Sequence, residues 1–343
     1  MPAIPRMLPP IAIALVLLVG LGAEERLRVC ASVPDLGSIA RAVGGDLVEV
    51  TVFAKGGEDP HFVEPRPSFI KALARADALI EIGMELEIGW LPAVVQQAGN
   101  GRVQPGARGR ITAGDAITPL GVPTGPIDRS QGDVHAMGNP HFLPDPLAGV
   151  AIARLLRDRF AELRPGSSAA FAANYAAFAT AIAEALAGAS AAQTLGSEQV
   201  LDGVEQGTLD AQLAKSGTAL GGWLAALKPC AGLAVVADHD LWPYFAKRFG
   251  LRIVGFLEPK PGLPTTSRHL TAIAAQMSAQ QVAVIIINPT FDRRHAETVA
   301  KRTGATIASL AHQVGAAPGT DEYLAFIAYD VAALAAAVPV RTP

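Results

Sequence analysis

The chain has little cysteine: among 343 residues only Cys30 and Cys230 carry a thiol, which excludes a zinc site built on thiolates. The two lie 200 positions apart, and in an oxidising compartment they form either one disulfide or two buried small residues beside strands. An excess of positive charge is also missing. With a formal net charge of −3, nothing favours nucleic acid or an anionic membrane surface as a partner. Beyond the N-terminus no run is expected to be long and apolar enough to span a bilayer, although 50% of the residues are hydrophobic, because much of that fraction is alanine in helical segments. There is no internal repeat by identity, no low-complexity tail and no His-Glu-x-x-His run.

What the N-terminus does contain is Arg6, an apolar run from Leu8 to Leu21, small residues to Ala23 and then Glu24-Glu25-Arg26. This is the order of a secretory signal peptide, 1–23, cleaved near Ala23. A lipoprotein would carry its modified cysteine directly after the apolar run, whereas Cys30 follows four charged residues. The expectation is a soluble periplasmic protein with no lipid anchor. The roughly 320 residues left are enough for about two domains.

Strand and helix signals alternate through both halves. "LRVCAS", "LVEVTVFA" and "ALIEIG" read as buried strands, with helices over 35–43 and from Pro67-Ser68. The second half repeats this grammar with "GLAVVA", "RIVGFL", "VAVIIIN" and "TIASL" as strands. Helices are expected over 242–249 and 266–278, in "RRHAETVAKRTG", and from about Asp321 to Ala337. The predicted fold class is α/β: two lobes, each with a mostly parallel sheet flanked by helices, joined by one long rigid interdomain helix. The lobes are expected over 24–165 and 231–343. The Ala-rich linking helix covers 166–192 and a less regular connection covers 193–230. At ~1.5 Å per residue the linking helix would run about 35 to 40 Å.

Seven histidines are present, and their placement carries the information. His61 follows a strand in "KGGEDPHFVEP", His239 follows one in "ADHDLW", and His312 follows "TIASL". His141 stands just before a helix capped by Asp145 and opened by Pro146. Loops beyond the carboxyl ends of strands line the ligand crevice of open α/β sheets, so these four can converge between two lobes. Pro60 and Pro140 hold the residues before them extended. Asp59, Glu64 and Asp145 are near enough in sequence to accept a second imidazole proton, as metal-bound histidines usually require. His135, followed by Ala-Met-Gly, reads as a transient contact at best. His269 and His295 fall in helices beside charged neighbours and read as surface residues, and Trp90, Trp223 and Trp242 read as packing.

The stretches "EDPHFVEPRPSFIKALARADALIEIGMELEIGW", "GNPHFLPDP", "DHDLWPYFAKRFGLRIVGFLEPKPGLPTTSRHL" and "AETVAKRTGATIASL" resemble the cluster A-I solute-binding proteins of zinc and manganese ABC importers. The resemblance runs in order from about Arg28 to the C-terminus. It implies a single metal between two lobes, with ligands falling on His61, His141 and His239. In the family the fourth ligand is commonly a carboxylate in a "LDPLG"-like turn. Here the turn reads "LAHQVG", so His312 takes that place and Asp321, Glu322 or a water are the alternatives. The His-rich loop of many zinc members shrinks to residues 119–139, carrying only His135.

Three or four imidazoles suit zinc, whereas manganese prefers more oxygen ligands, so zinc is the expected cargo and manganese the lesser one. The implied role is a periplasmic carrier, expected to act as a monomer. It would deliver metal to an ABC permease in the inner membrane, with a metallochaperone as a conceivable donor, and it would not be an enzyme. The rival reading is a secreted zinc hydrolase with three histidines and a bound water. Its general base would have to be found among Glu64, Asp238, Asp240 and Glu258.

Overall fold

The computed structural model describes residues 25–125, 135–259 and 265–338. The expected signal peptide lies outside the described residues, as do 126–134 of the loop around His135 and 260–264 of the Pro-rich segment.

The first half contains Leu27–Ala31 (β1), Pro34–Gly44 (α1), Val48–Val52 (β2), Pro67–Leu73 (α2), Ala78–Glu81 (β3), Leu91–Ala98 (α3) and Arg110–Thr112 (β4). The four strands form one parallel sheet in the order β2-β1-β3-β4, with Val29 opposite Val50 on one side and Ala78 on the other. Strands β1 and β3 are buried along nearly their whole length, which is why they read as continuous apolar runs rather than alternating ones. Helix α1 starts where Pro34 presets the first turn, and it stops at Gly45, whose φ of 53° lies in the left-handed region.

The connection between the lobes is helical throughout. Pro146–Leu163 (α4) leads through a short turn to Ser168–Ala187 (α5). Then come Ala189–Leu195 (α6), Ser197–Gln206 (α7), Leu209–Ser216 (α8) and Gly222–Ala226 (α9). The linking helix is shorter than the 166–192 read from sequence. It stops at Gly188, which takes φ 91° and ψ 149° and packs so closely on Gly221 that a Cβ would lie 3.0 Å from its Cα. Including the preceding turn, Pro165–Ala187 is long and apolar enough to cross a membrane by length and composition, with a mean hydropathy of 1.3 over its most apolar 18 residues, against the sequence expectation. Its apolar side chains are used in packing: Phe171, Tyr175, Phe178, Ile182 and Leu186 are buried where α5 meets α1, α4, α7 and α9.

The second half contains Ala234–Ala237 (β5), Pro243–Phe249 (α10), Arg252–Phe256 (β6), Ser267–Ala279 (α11), Val284–Ile287 (β7), Arg294–Thr303 (α12), Thr306–Ser309 (β8) and Tyr323–Ala337 (α13). Its parallel sheet has the order β6-β5-β7-β8, the same topology as the first. Helix α13 returns to the first half. The backbone N–H of Tyr323 donates to Ser38 Oγ at 3.0 Å, and Ser38 Oγ donates to Glu322 at 2.7 Å. The Tyr323 hydroxyl lies 2.7 Å from the Leu143 carbonyl oxygen and 3.0 Å from that of Asp145. The larger apolar core runs through both halves, from Phe53 and Leu79 to Trp242 and Phe326, and a second, smaller cluster around Val236, Met277 and Ile285 lies within the second half. Cys30 and Cys230 are each free and buried.

Candidate metal centre

Each histidine after a strand is oriented by its own loop. Beyond β2 the chain turns at Lys55–Glu58, and Asp59 Oδ1 then accepts both the backbone N–H of His61 (2.9 Å) and its ring Nδ1 (2.8 Å). Trp90 Nε1 donates to the Pro60 carbonyl at 2.9 Å and fixes the backbone just before the ring. The other ring nitrogen of His61 is left facing away from Asp59. On the second lobe the arrangement repeats. Asp238 accepts the N–H of His239 at 2.8 Å, and Glu258 Oε2 lies 3.0 Å from His239 Nδ1. A carboxylate behind each ring fixes tautomer and orientation as metal-binding histidines require. Burial lowers the His239 pKa, but the carboxylates of Glu258, Asp238 and Asp240 together outweigh it and leave the ring above its ordinary value.

His141 and His312 are the buried members. The N–H of His141 is held by Asn139 Oδ1 at 2.9 Å, and its ring centroid lies 4.9 Å from that of His312 and 5.3 Å from that of His61. Burial, reinforced by the facing imidazoles of His312, His61, His239 and His135, holds its pKa well below the ordinary value. His312 stands edge-on to Trp242 with centroids 5.8 Å apart, and burial pushes its pKa down to about 3. Its Nε2 is buried with no hydrogen-bond partner. The next residue straps the lobes together: the Gln313 side-chain amide donates to the carbonyls of Gly56 (2.8 Å) and Glu58 (2.7 Å), in the loop that carries His61.

The structure brings His61, His141, His239 and His312 to one cavity of about 20 Å³, also lined by Asp59, Leu241 and Phe291. That is room for a single ion-sized occupant. His135, read from sequence as accessory, sits closer than expected. Its Nε2 is 3.2 Å from His61 Nε2, and His61, His135 and His141 offer ligand atoms within 4.8 Å of one another. Two nitrogens bound to one tetrahedral zinc at about 2.0–2.1 Å would be separated by about 3.3 Å, so this spacing suits a shared metal. The turn is held by Glu85, which accepts the N–H of Ala136 at 2.9 Å. That contact links residues 51 positions apart, and no local sequence signal announces it.

The other candidates fall elsewhere. Asp321 is exposed, Glu322 is engaged with Ser38, and neither lines the cavity. Asp145 does not back an imidazole. It caps α4 through the Leu147 N–H and takes a two-pronged contact from Arg248. Glu64 is exposed, Asp240 accepts from Asn139, and Asp238 and Glu258 are committed around His239. His269 is more than a surface residue: its Nε2 meets the Phe256 carbonyl at 2.9 Å.

The profile of the family described as "Zinc-uptake complex component A periplasmic" matches residues 29–195 and 210–337. The chain belongs to this family. It is thus a metal-binding protein of the solute-binding type that serves ABC importers. A relative, the high-affinity zinc uptake system protein ZnuA of Yersinia pestis, is 23% identical over 292 residues, covering 80% of this chain and 79% of that one. The manganese ABC transporter substrate-binding lipoprotein PsaA of Streptococcus pneumoniae is 31% identical over 78 residues, 22% of this chain and 25% of its own. Among solved structures, a zinc-bound ZnuA deletion mutant superposes with a TM-score of 0.65 at 21% identity, covering 93% of this chain and all of its own, which shows a common fold.

Proposed function

We propose that this protein captures one zinc ion between its lobes in the periplasm and delivers it to an ABC permease of the inner membrane. The ligands in this reading are His61 and His141 from the first half and His239 and His312 from the second. The observation that carries it is the Nε2 of His312: a buried imidazole nitrogen without a partner, in a cavity shared with three more imidazoles. A buried polar atom left unsatisfied is costly, and a metal bond removes that cost.

Zinc is favoured over manganese because the donors are nitrogens, which suit a four-coordinate borderline ion better than one that seeks oxygen. That the Yersinia relative is named for zinc uptake supports this, while the streptococcal relative is named for manganese. His135, adjoining His61 at the opening, receives the ion first and passes it inward. Residues 1–23 direct export and are removed, and the mature chain works as a monomer. A periplasmic metallochaperone is a suitable donor. The two lobes, taken as 24–165 and 231–343, part slightly for release, with α5 limiting the excursion.

Metal content by mass spectrometry tests this on protein stripped and reloaded with equimolar zinc and manganese. One zinc per wild-type chain, with occupancy reduced in His312→Ala, is the expected result. Manganese in place of zinc, or no bound metal, overturns the reading. For the role of His135, deletion of residues 119–139 is expected to slow uptake at limiting zinc, and unchanged uptake contradicts it.

A further inference from the structure

The segment that carries His141 belongs to the first half by sequence, yet it is gripped from the second. On α10, Tyr244 and Arg248 stand one helical turn apart on the same face. The Tyr244 hydroxyl donates to the Asn139 carbonyl and accepts the Leu120 N–H, each at 2.9 Å. Arg248 Nε and Nη2 meet the two carboxylate oxygens of Asp145 at 2.7 and 2.9 Å, and Nη2 also reaches Glu205 at 2.8 Å. The Arg248 and Asp145 side chains are each only 8% exposed. Asn139 in turn donates to the Asp240 backbone oxygen at 2.8 Å, next to His239, while its Oδ1 holds the N–H of His141.

We infer that Tyr244 and Arg248 are positioning residues that set how long the metal is held, by pinning both flanks of the His141 segment to the lobe that presents His239. This rests on the zinc-capture reading above. Neither side chain lines the metal cavity. Parting the lobes on either side of α10 withdraws His141 from His239 and at the same moment breaks the two-pronged Arg248–Asp145 pair and the Tyr244–Asn139 bond. A fork-on-carboxylate contact tolerates little displacement, so it converts a graded opening into a step with a threshold. The same contacts preorganise two ligands from different lobes before the ion arrives.

The test is the rate of zinc dissociation, read by mixing zinc-loaded full-length mature protein with excess chelator, alongside the melting temperature of the metal-free form. Arg248→Met is expected to speed dissociation on the order of tenfold. Arg248→Lys restores the charge but not the fork and falls between. Tyr244→Phe removes one hydroxyl and keeps the ring that packs against Phe142, so it folds even if Arg248→Met does not; it too is expected to release zinc faster, with one zinc still bound at saturation. If these variants melt earlier without the metal but release zinc at the wild-type rate, the two residues are merely structural and the inference fails. A wild type that holds no zinc at all instead overturns the functional reading beneath it.

Discussion

An imidazole ligates a metal only when neutral and only when its free nitrogen is aimed, and these two demands are met differently at the four proposed ligands. His61 and His239 are aimed by carboxylates, so Asp59→Asn and Glu258→Gln are expected to weaken zinc binding by about 10- to 100-fold while one site remains, as read by competition titration. His141 and His312 are instead kept neutral by burial. Both stay unprotonated in the native state, whereas the unfolded chain takes up protons below about pH 6.5. Their contribution to apo-protein stability is therefore complete above that pH and is lost as pH falls toward their depressed native values. His312→Asn should remove part of this acid sensitivity: the gap in melting temperature between variant and wild type should move in the variant's favour from pH 7 to pH 5. Asp35 and Glu87, pushed up to about 7 by burial, act in the opposite sense and cost stability as pH rises toward 7, but they are common to both proteins. At this scale the convergence of His61, His141, His239 and His312 on one cavity was legible because each follows a strand or precedes a capped helix. His135 was not, since its placement depends on Glu85 and on a fold that brings distant loops together.

The elements explain how loops from separate lobes come so near. Gly56, after β2, lies against the backbone beyond His312, and a Cβ there would sit 2.2 Å from the Gly315 carbonyl carbon and 2.4 Å from the Val314 oxygen. Gly56→Ala must push these loops apart and loosen the Gln313 strap. We expect a cost of about 1–3 kcal/mol in denaturant unfolding, together with weaker zinc binding. Zinc affinity equal to wild type would show that the loop contact does not position the ligands. Most strands and helices could be read directly because each buried strand is a short apolar run and several helices open on Pro or Ser, as α1, α2, α4, α10 and α11 do. The exceptions have local causes. Strand β4 is the three residues Arg110–Thr112, too short and polar to announce itself, and it exists through pairing with β3. The linking helix stops at Gly188 rather than near Ala192 because Gly188 takes φ 91° and ψ 149°, a conformation that favours glycine; that lone glycine was the stop signal, and the alanines on both sides of it read as continuous helix.

At the scale of the molecule, two sheets of the same topology face one another across a cavity the size of an ion, with α5, α13 and the Gln313 strap spanning the halves. A frame tied at so many points should close little on binding. For a chain of this length the radius of gyration is expected near ~20 Å, and zinc should change it by no more than about 1 Å in solution scattering. A contraction of several ångströms would mean a wide hinge instead. The ligand set itself is tested most directly by a crystal structure of the zinc-loaded protein with anomalous data collected on both sides of the zinc edge. The account predicts one zinc peak per chain, about 2.0–2.1 Å from a nitrogen of each of His61, His141, His239 and His312. A peak bonded to His61, His135 and His141 but remote from His239 and His312 would contradict it.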